Sequence, residues 1–287
     1  MRYIVIKFHF AAVLFSLTGK CDSEEILIRL DKYLAEMSVG TRSEVKKIIR
    51  TGRVTVNDET VKKPEQKVDI SKDIVYVDGN IINYTEYEYF MLNKPAGYVS
   101  ATTDREHKTV IDLIDDSSHN DLFPVGRLDI DTEGLLIITN DGGLSHRLLS
   151  PKHHVDKKYF LLTKREVTEE DVDILESGVD IGDEKTTLPA KVSDISYKRW
   201  NDIGKYHDKI KASKEFCSED ISGGFTSLCL TIHEGRYHQV KRMMNKIGKP
   251  VVYLKRLSMG ELVLDENLAL GEYRILTEDE LKLLKGS

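Results

Sequence analysis

The chain has 287 residues, is 40% hydrophobic and 31% charged, and carries a net charge of −6. This is the profile of an ordinary soluble globular protein, long enough for more than one domain, and its acidic balance excludes nucleic-acid binding by global charge, so any basic footprint is local. The three cysteines, Cys21, Cys217 and Cys229, are odd in number and form no Cys-x-x-Cys pair; this argues against a disulfide framework or a zinc ribbon and fits a reducing cytoplasm.

Residues 1–27 read as an N-terminal extension, or as a start assigned too far upstream. Arg2 and Lys7 followed by the apolar run Phe8–Leu17 imitate a signal peptide, but no small-x-small cleavage site follows. The run is also too short to span a bilayer, so no membrane association is expected.

Residues 28–70 form the first organised unit. Leu30, Tyr33 and Leu34 have helical spacing and predict a helix over Ile28–Ala35. After Gly40, Thr41 or Ser43 can cap a second helix with Val45, Ile48 and Ile49 inside and Arg42, Lys46, Lys47 and Arg50 outside. Thr51-Gly52-Arg53 then turns into the strand Val54–Asp58, which ends in a hairpin signal. A basic helix on a small sheet, in an otherwise acidic protein, suggests a compact RNA-binding module. Residues 71–87 read as a polar connector with short strands at Ile74–Val77 and Ile81–Ile82.

The larger domain covers 88–287. Phe90-Met-Leu92 is a strand entering the turn Asn93-Lys-Pro-Ala-Gly97, and Val110–Ile114 is helical or turn-like. The stretch Phe123–Gly142 is the organising element. It opens with Gly126-Arg-Leu-Asp129, carries Asp129, Asp131 and Glu133, and runs into Leu135-Leu-Ile-Ile138, a short apolar run that reads as a buried strand. Acids held rigidly at the mouth of a buried strand suit a catalytic carboxylate. Asp129-x-Asp131-x-Glu133-Gly134 also imitates the start of a calcium loop, but Asn140 stands where the bidentate Glu is required. Leu144–Leu149 predicts a short helix, Lys157–Leu162 a strand, and Val167–Ser177 a helix capped by Thr168. Strands at Lys191–Ser196 and Phe225–Ile232 flank residues 197–224, a lysine-rich segment without clear period that reads as a long hairpin tip or mobile insertion. Glu234–Ile247 runs into a basic helix, short strands follow at Val251–Leu254 and Leu262–Leu264, and Thr277-Glu-Asp-Glu280 is a capping box opening the last helix. Strands with helices packed on them define an α+β protein: a small α/β module followed by a mixed, mainly antiparallel sheet domain.

Two resemblances give these elements a function. Arg29-Leu-Asp-Lys-Tyr-Leu34, Ser43–Arg50 and Gly52-Arg-Val-Thr-Val-Asn57 resemble the RNA-binding domain named after ribosomal protein S-four, which implies phosphate contacts from Arg29, Lys32, Arg42, Lys46 and Arg53. Phe90–Tyr98, Gly126–Leu135, Lys158-Tyr159 and Glu234–Met243 resemble, in that order, the RNA pseudouridine synthases, and the wording Arg236-Tyr-His-Gln-Val-Lys-Arg242 is nearest to the RsuA-type branch acting on small-subunit ribosomal RNA. That resemblance implies an isomerisation without cofactor or metal. Asp129 would be the nucleophile, Lys241 its basic partner and Tyr159 the ring stacked on the target base. Arg127 would act in base flipping, and Arg236, His238 and Arg242 would lie against RNA. It also implies a monomer acting on ribosomal RNA or its assembly intermediate. A large-subunit synthase and a non-catalytic RNA-binding assembly factor are the alternatives.

Overall fold

The computed structural model describes residues 26–115 and 117–286. The expected N-terminal extension lies outside them up to residue 25, including its apolar run and Cys21. The described chain divides into two compact units. One takes residues up to Ala35 and Gly40–Asn83; the other takes Glu36–Val39 and the chain from Tyr84 onward.

In the first unit, β1 (Leu27–Arg29) leads into α1 (Leu30–Glu36) and α2 (Arg42–Arg50), followed by β2 (Val54–Val56), β3 (Glu59–Val61), β4 (Lys67–Asp69), β5 (Val75–Val77) and β6 (Asn80–Ile82). Leu30, Tyr33, Leu34, Val45 and Ile49 are buried, as helical spacing requires. Ile28 and Arg29 depart from the expected helix because they pair with Val68 and Lys67 of β4. Thr41 is the α2 cap: its side chain accepts from the Glu44 N–H, while its own N–H donates to the Glu44 carboxylate at 2.8 Å. Asn57 and Asp58, at φ 49° and 68°, form the tight β2–β3 turn. Residues 71–83 are not a connector. Strands β5 and β6 complete the four-stranded sheet β3-β2-β5-β6, and Val75 and Val77 are buried in it.

The second unit contains β7 (Tyr89–Lys94), β8 (Phe123–Pro124), β9 (Glu133–Thr139), α3 (Gly142–Leu149), β10 (Lys157–Lys164), α4 (Glu169–Ser177), β11 (Lys191–Lys198), α5 (His207–Lys211), α6 (Asp220–Gly223), β12 (Phe225–Ile232), α7 (Gln239–Lys246), β13 (Val251–Met259), β14 (Leu262–Val263), β15 (Tyr273–Ile275) and α8 (Glu278–Gly286). Seven strands run in the order β11-β12-β10-β13-β9-β7-β15, with β14 on β13 and β8 on β9. The neighbours in this sheet pair antiparallel except β9 and β13, which run parallel. Strand β9 is buried along its whole length because it has core on both faces. Leu136 and Ile138 join Phe90, Leu92, Leu228 and the α7 residues Val240, Met243 and Met244 on one face. Leu135 and Ile137 join Met91, Leu144 and Leu148 of α3, and Leu284 of α8 on the other. A strand buried on both faces reads as a continuous apolar run.

At the β9–β13 pairing, Gly134 adopts φ +102°, and a Cβ there would lie 2.2 Å from the Arg256 carbonyl oxygen. Only glycine lets the two strands approach where the acidic loop enters the sheet. The 197–224 segment does connect two paired strands, β11 and β12, but it is a folded cap. Ile203 and Ile210 are buried with Leu162, Phe225, Val252 and Tyr253. Trp200 stacks on His207 at 3.9 Å between ring centroids.

Candidate active site

The site is built on the loop between β8 and β9, residues 125–132. Three groups from the end of β7 and just beyond pin its backbone. Lys94 is fully buried, and its ammonium donates to the carbonyls of Pro95, Asp129, Ile130 and Thr132 at 2.9–3.3 Å. The Gly97 N–H donates to the Ile130 carbonyl at 2.7 Å. The Ser100 hydroxyl donates to the Leu128 carbonyl at 2.9 Å and accepts from the Leu128 N–H at 3.0 Å. With the main chain fixed on both sides, the Asp129 side chain has a defined direction.

That direction is toward α7. Lys241 places Nζ 3.0 Å from Asp129 Oδ2 and 2.5 Å from Asp131 Oδ1. The Asp129 and Lys241 side chains are each about four-fifths buried, whereas Asp131 is largely exposed. Burial opposes the Lys241 ammonium, but the bond to Asp131 and the charge of Asp129 outweigh it and hold its pKa above the ordinary lysine value. Lys241 therefore stays charged at neutral pH, the condition for a stable carboxylate in a half-dry site. His238 Nε2 is 3.4 Å from the other Asp129 oxygen.

A cavity opens beside this pair, lined by Arg127, Asp129, Tyr159, Ile232, His238 and Leu254 among others. Tyr159 is 8% exposed and stands on β10 opposite Leu230 and Arg256, next to a register shift between Lys158 and Tyr159. Arg127 is exposed at the cavity mouth. The arrangement offers a carboxylate held by a fixed cation, an aromatic wall and an exposed cation at the entrance.

Not every expected contact residue meets this cavity with a free side chain. Arg236 donates to the carbonyls of Lys185 and Thr186 and to Glu234. Arg242 donates to Asp183 and to the Ile181 carbonyl at 2.6 Å. Both brace the loop before β11. In the first unit Arg29 pairs with Asp31 at 2.8 Å and Arg53 pairs with Asp78. Arg42 is exposed on α2, Lys46 is half-buried there, and Lys32 is exposed on α1.

Three residues that hold the site's surroundings in place do not stand out in the sequence. Lys94 stands in the Asn93–Gly97 Pro/Gly turn, where nothing local marks it as buried. Gln239 is 3% exposed and closes the turn before α7, accepting from the Arg236 N–H at 3.0 Å and donating to Glu234 at 2.9 Å. Lys209, from the cap, reaches buried Glu133 at 2.5 Å, and the Tyr253 hydroxyl donates to the same carboxylate at 2.7 Å.

A small α/β RNA-binding module, followed by a mixed sheet that presents a lysine-paired aspartate beside an aromatic-walled cavity, defines an RNA-modifying enzyme. Residues 88–246 match the RNA pseudouridylate synthase family and residues 28–75 the S4 domain. The chain belongs to that family and is an RNA pseudouridine synthase. It is similar to YtzG of Bacillus subtilis, an uncharacterised RNA pseudouridine synthase, with 45% identity over 258 residues, 90% of this chain and 98% of that protein. Ribosomal small subunit pseudouridine synthase A of Escherichia coli K12 is 39% identical over 256 residues, 88% of this chain and 98% of that protein. A crystal structure of a pseudouridylate synthase, 37% identical, matches with a TM-score of 0.55 over 90% of this chain and 99% of that chain. Among the described residues no helix is long and apolar enough to cross a membrane.

Proposed function

We propose that this enzyme converts a specific uridine of small-subunit ribosomal RNA to pseudouridine, with Asp129 as the nucleophile. The observation that carries the chemistry is the Asp129–Lys241 pair at 3.0 Å, on the cavity that Tyr159 walls. The small-subunit substrate draws support from the Escherichia coli relative, whose name assigns it that RNA.

A uridine inside folded RNA cannot reach Asp129 without leaving its stack, so the base is flipped into the cavity. Arg127 at the mouth fills the vacated space or holds the adjacent phosphate, since guanidinium both stacks and pairs. Tyr159 supports the uracil ring. The Asp129 carboxylate bonds covalently to the nucleotide, the N1–C1′ bond breaks, and the detached uracil turns. A C5–C1′ bond then forms, the C5 proton leaves, N1 ends protonated and Asp129 departs. The product is an isomer of the substrate, so nothing is added or removed. Lys241 balances the Asp129 charge before the covalent bond forms and after Asp129 departs. Lys94 is a positioning residue, holding the loop on which Asp129 sits. The first unit, over residues 28–83, docks structured RNA through the phosphate-facing cations of α1 and α2. Arg236 and Arg242 shape the rim by bracing residues 181–186.

Mapping pseudouridine in ribosomal RNA from cells with and without this protein tests the reading. One site lost from the small-subunit RNA is the expected result. A site lost from the large-subunit RNA overturns the substrate, and no change at any site overturns the activity on ribosomal RNA.

A further inference from the structure

Tyr237 immediately precedes the turn into α7 and is 76% exposed, the most open large aromatic ring on the described surface. One face of the ring lies on His238, with centroids 3.8 Å apart and planes at 18°. His238 in turn reaches Asp129 at 3.4 Å. The outer ring of a two-ring stack thus faces solvent while the inner ring touches the carboxylate proposed as nucleophile.

The local backbone is arranged to hold this pair. His238 is in the left-handed region, φ 48° and ψ 34°, an unfavourable conformation for a residue with a Cβ. Arg242 ties it down, since its N–H donates to the His238 carbonyl at 2.9 Å and its guanidinium to the Tyr237 carbonyl at 3.2 Å. Strain of this kind is retained where a site requires it. Packing gives no reason for an aromatic residue at position 237, because so exposed a ring buries little of its area.

We propose that the Tyr237–His238 stack is a second base-binding site, a platform for the unpaired nucleobase adjacent to the flipped uridine. The proposal rests on the reading of the Asp129 cavity as the uridine pocket. When a uridine leaves its stack, its neighbour loses one stacking face, and the open face of Tyr237 replaces it. Every base has a π-face, so the ligand class is a single unpaired nucleobase in loop or bulge RNA rather than one base identity.

The test uses ribosomal RNA and subunit assembly particles from cells lacking the protein, with the full chain and its Tyr237→Ala and Tyr237→Phe variants. Stacking on one aromatic ring changes binding by about 5- to 150-fold. Tyr237→Ala should raise KM by that factor, leave kcat within about twofold and leave the melting temperature unchanged, whereas Tyr237→Phe should behave as wild type. An unchanged KM in Tyr237→Ala overturns the platform. A fall in kcat at constant KM also overturns it, since the tyrosine would then act through His238 and Asp129. Equal losses in Ala and Phe variants overturn it too, because the hydroxyl and not the ring would matter. If the wild type forms no pseudouridine on any of these RNAs, the underlying reading of the cavity fails instead.

Discussion

The Lys241 ammonium bridges two carboxylates, Asp129 at 3.0 Å and Asp131 at 2.5 Å, although its own residue lies on a helix more than a hundred positions along the chain. The bridge spans from one side of the sheet's parallel junction to helix α7. The charge partner of Asp129 is thus supplied by tertiary structure and not by its own loop.

Replacing Lys241 with Met should therefore lower the rate of pseudouridine formation by about 10²–10³-fold, the usual cost of one preorganised charge partner. RNA binding should change little. Steady-state kinetics and a filter-binding assay on the same RNA check this. A Lys241→Met enzyme with more than about a tenth of wild-type activity contradicts the role assigned to the cation.

Lys94 gives a pH signature. Burial pushes its pKa down to about 8, against the pull of Asp131, Asp129 and Glu133, whereas in an unfolded chain a lysine keeps its proton to about pH 10. Between those values the unfolded state binds more protons than the folded one, so the contribution of this group to stability rises with pH; below about 8 the cost of the buried charge is fully present. In urea unfolding, the stability of wild type relative to Lys94→Met should increase from about pH 8 to about pH 10. A flat or falling difference refutes the assignment. The variant leaves loop carbonyls without their donor and should itself be less stable at about pH 8.

The cap makes one quantitative prediction. Glu133 is 4% exposed and accepts from both Lys209 and Tyr253. Lys209→Met removes the charged donor from a buried carboxylate, but the lysine is partly solvated, so roughly 1–3 kcal/mol should be lost. In a cycle with Glu133→Gln the two effects should be non-additive. Additivity would mean that the cap does not lean on the acidic loop.

How much of this was legible in the sequence differs by element. Strand β9 was readable because Leu135–Ile138 is apolar on both faces, and α4 because Val167–Ser177 has helical spacing behind Thr168, which the structure shows as half of a capping box with Asp171. Strand β1 was not, since a partner in β4 some 40 residues onward overrides the local helical spacing. Strands β5 and β6 read as short strands near their true positions, but three residues each are too few to show that they pair into the sheet of the first unit. The cap showed no period because its short helices are held by aromatic contacts of Trp200, Tyr206 and Phe216 with the sheet rather than by an amphipathic stripe. At the site, Asp129, Tyr159 and Lys241 stood in recognisable blocks. Lys94 did not stand out, because the carbonyls that enclose it come from a loop 35 residues away. The ion pairs of Arg236 and Arg242 with Asp183 could not be read, because Asp183 is distant in sequence from the block that holds both arginines.

The proposed role of the first unit is electrostatic. Each phosphate contact removed should reduce the slope of log affinity against log salt by about 1. Arg42→Ala and Lys46→Ala together should flatten the slope by about 2 and weaken binding at all salt concentrations, while saturating RNA restores the rate. An unchanged slope shows that this face of α2 does not meet phosphate.

The central claim is that Asp129 forms the bond to the nucleotide. The most direct measurement is pseudouridine formation by Asp129→Asn on ribosomal RNA and assembly particles from cells lacking the protein, with binding followed in parallel. The substitution keeps the size and the hydrogen-bonding reach of the side chain but removes its charge. The account predicts no detectable pseudouridine and near-normal RNA affinity. Substantial residual activity would contradict it and move the nucleophile to Asp131.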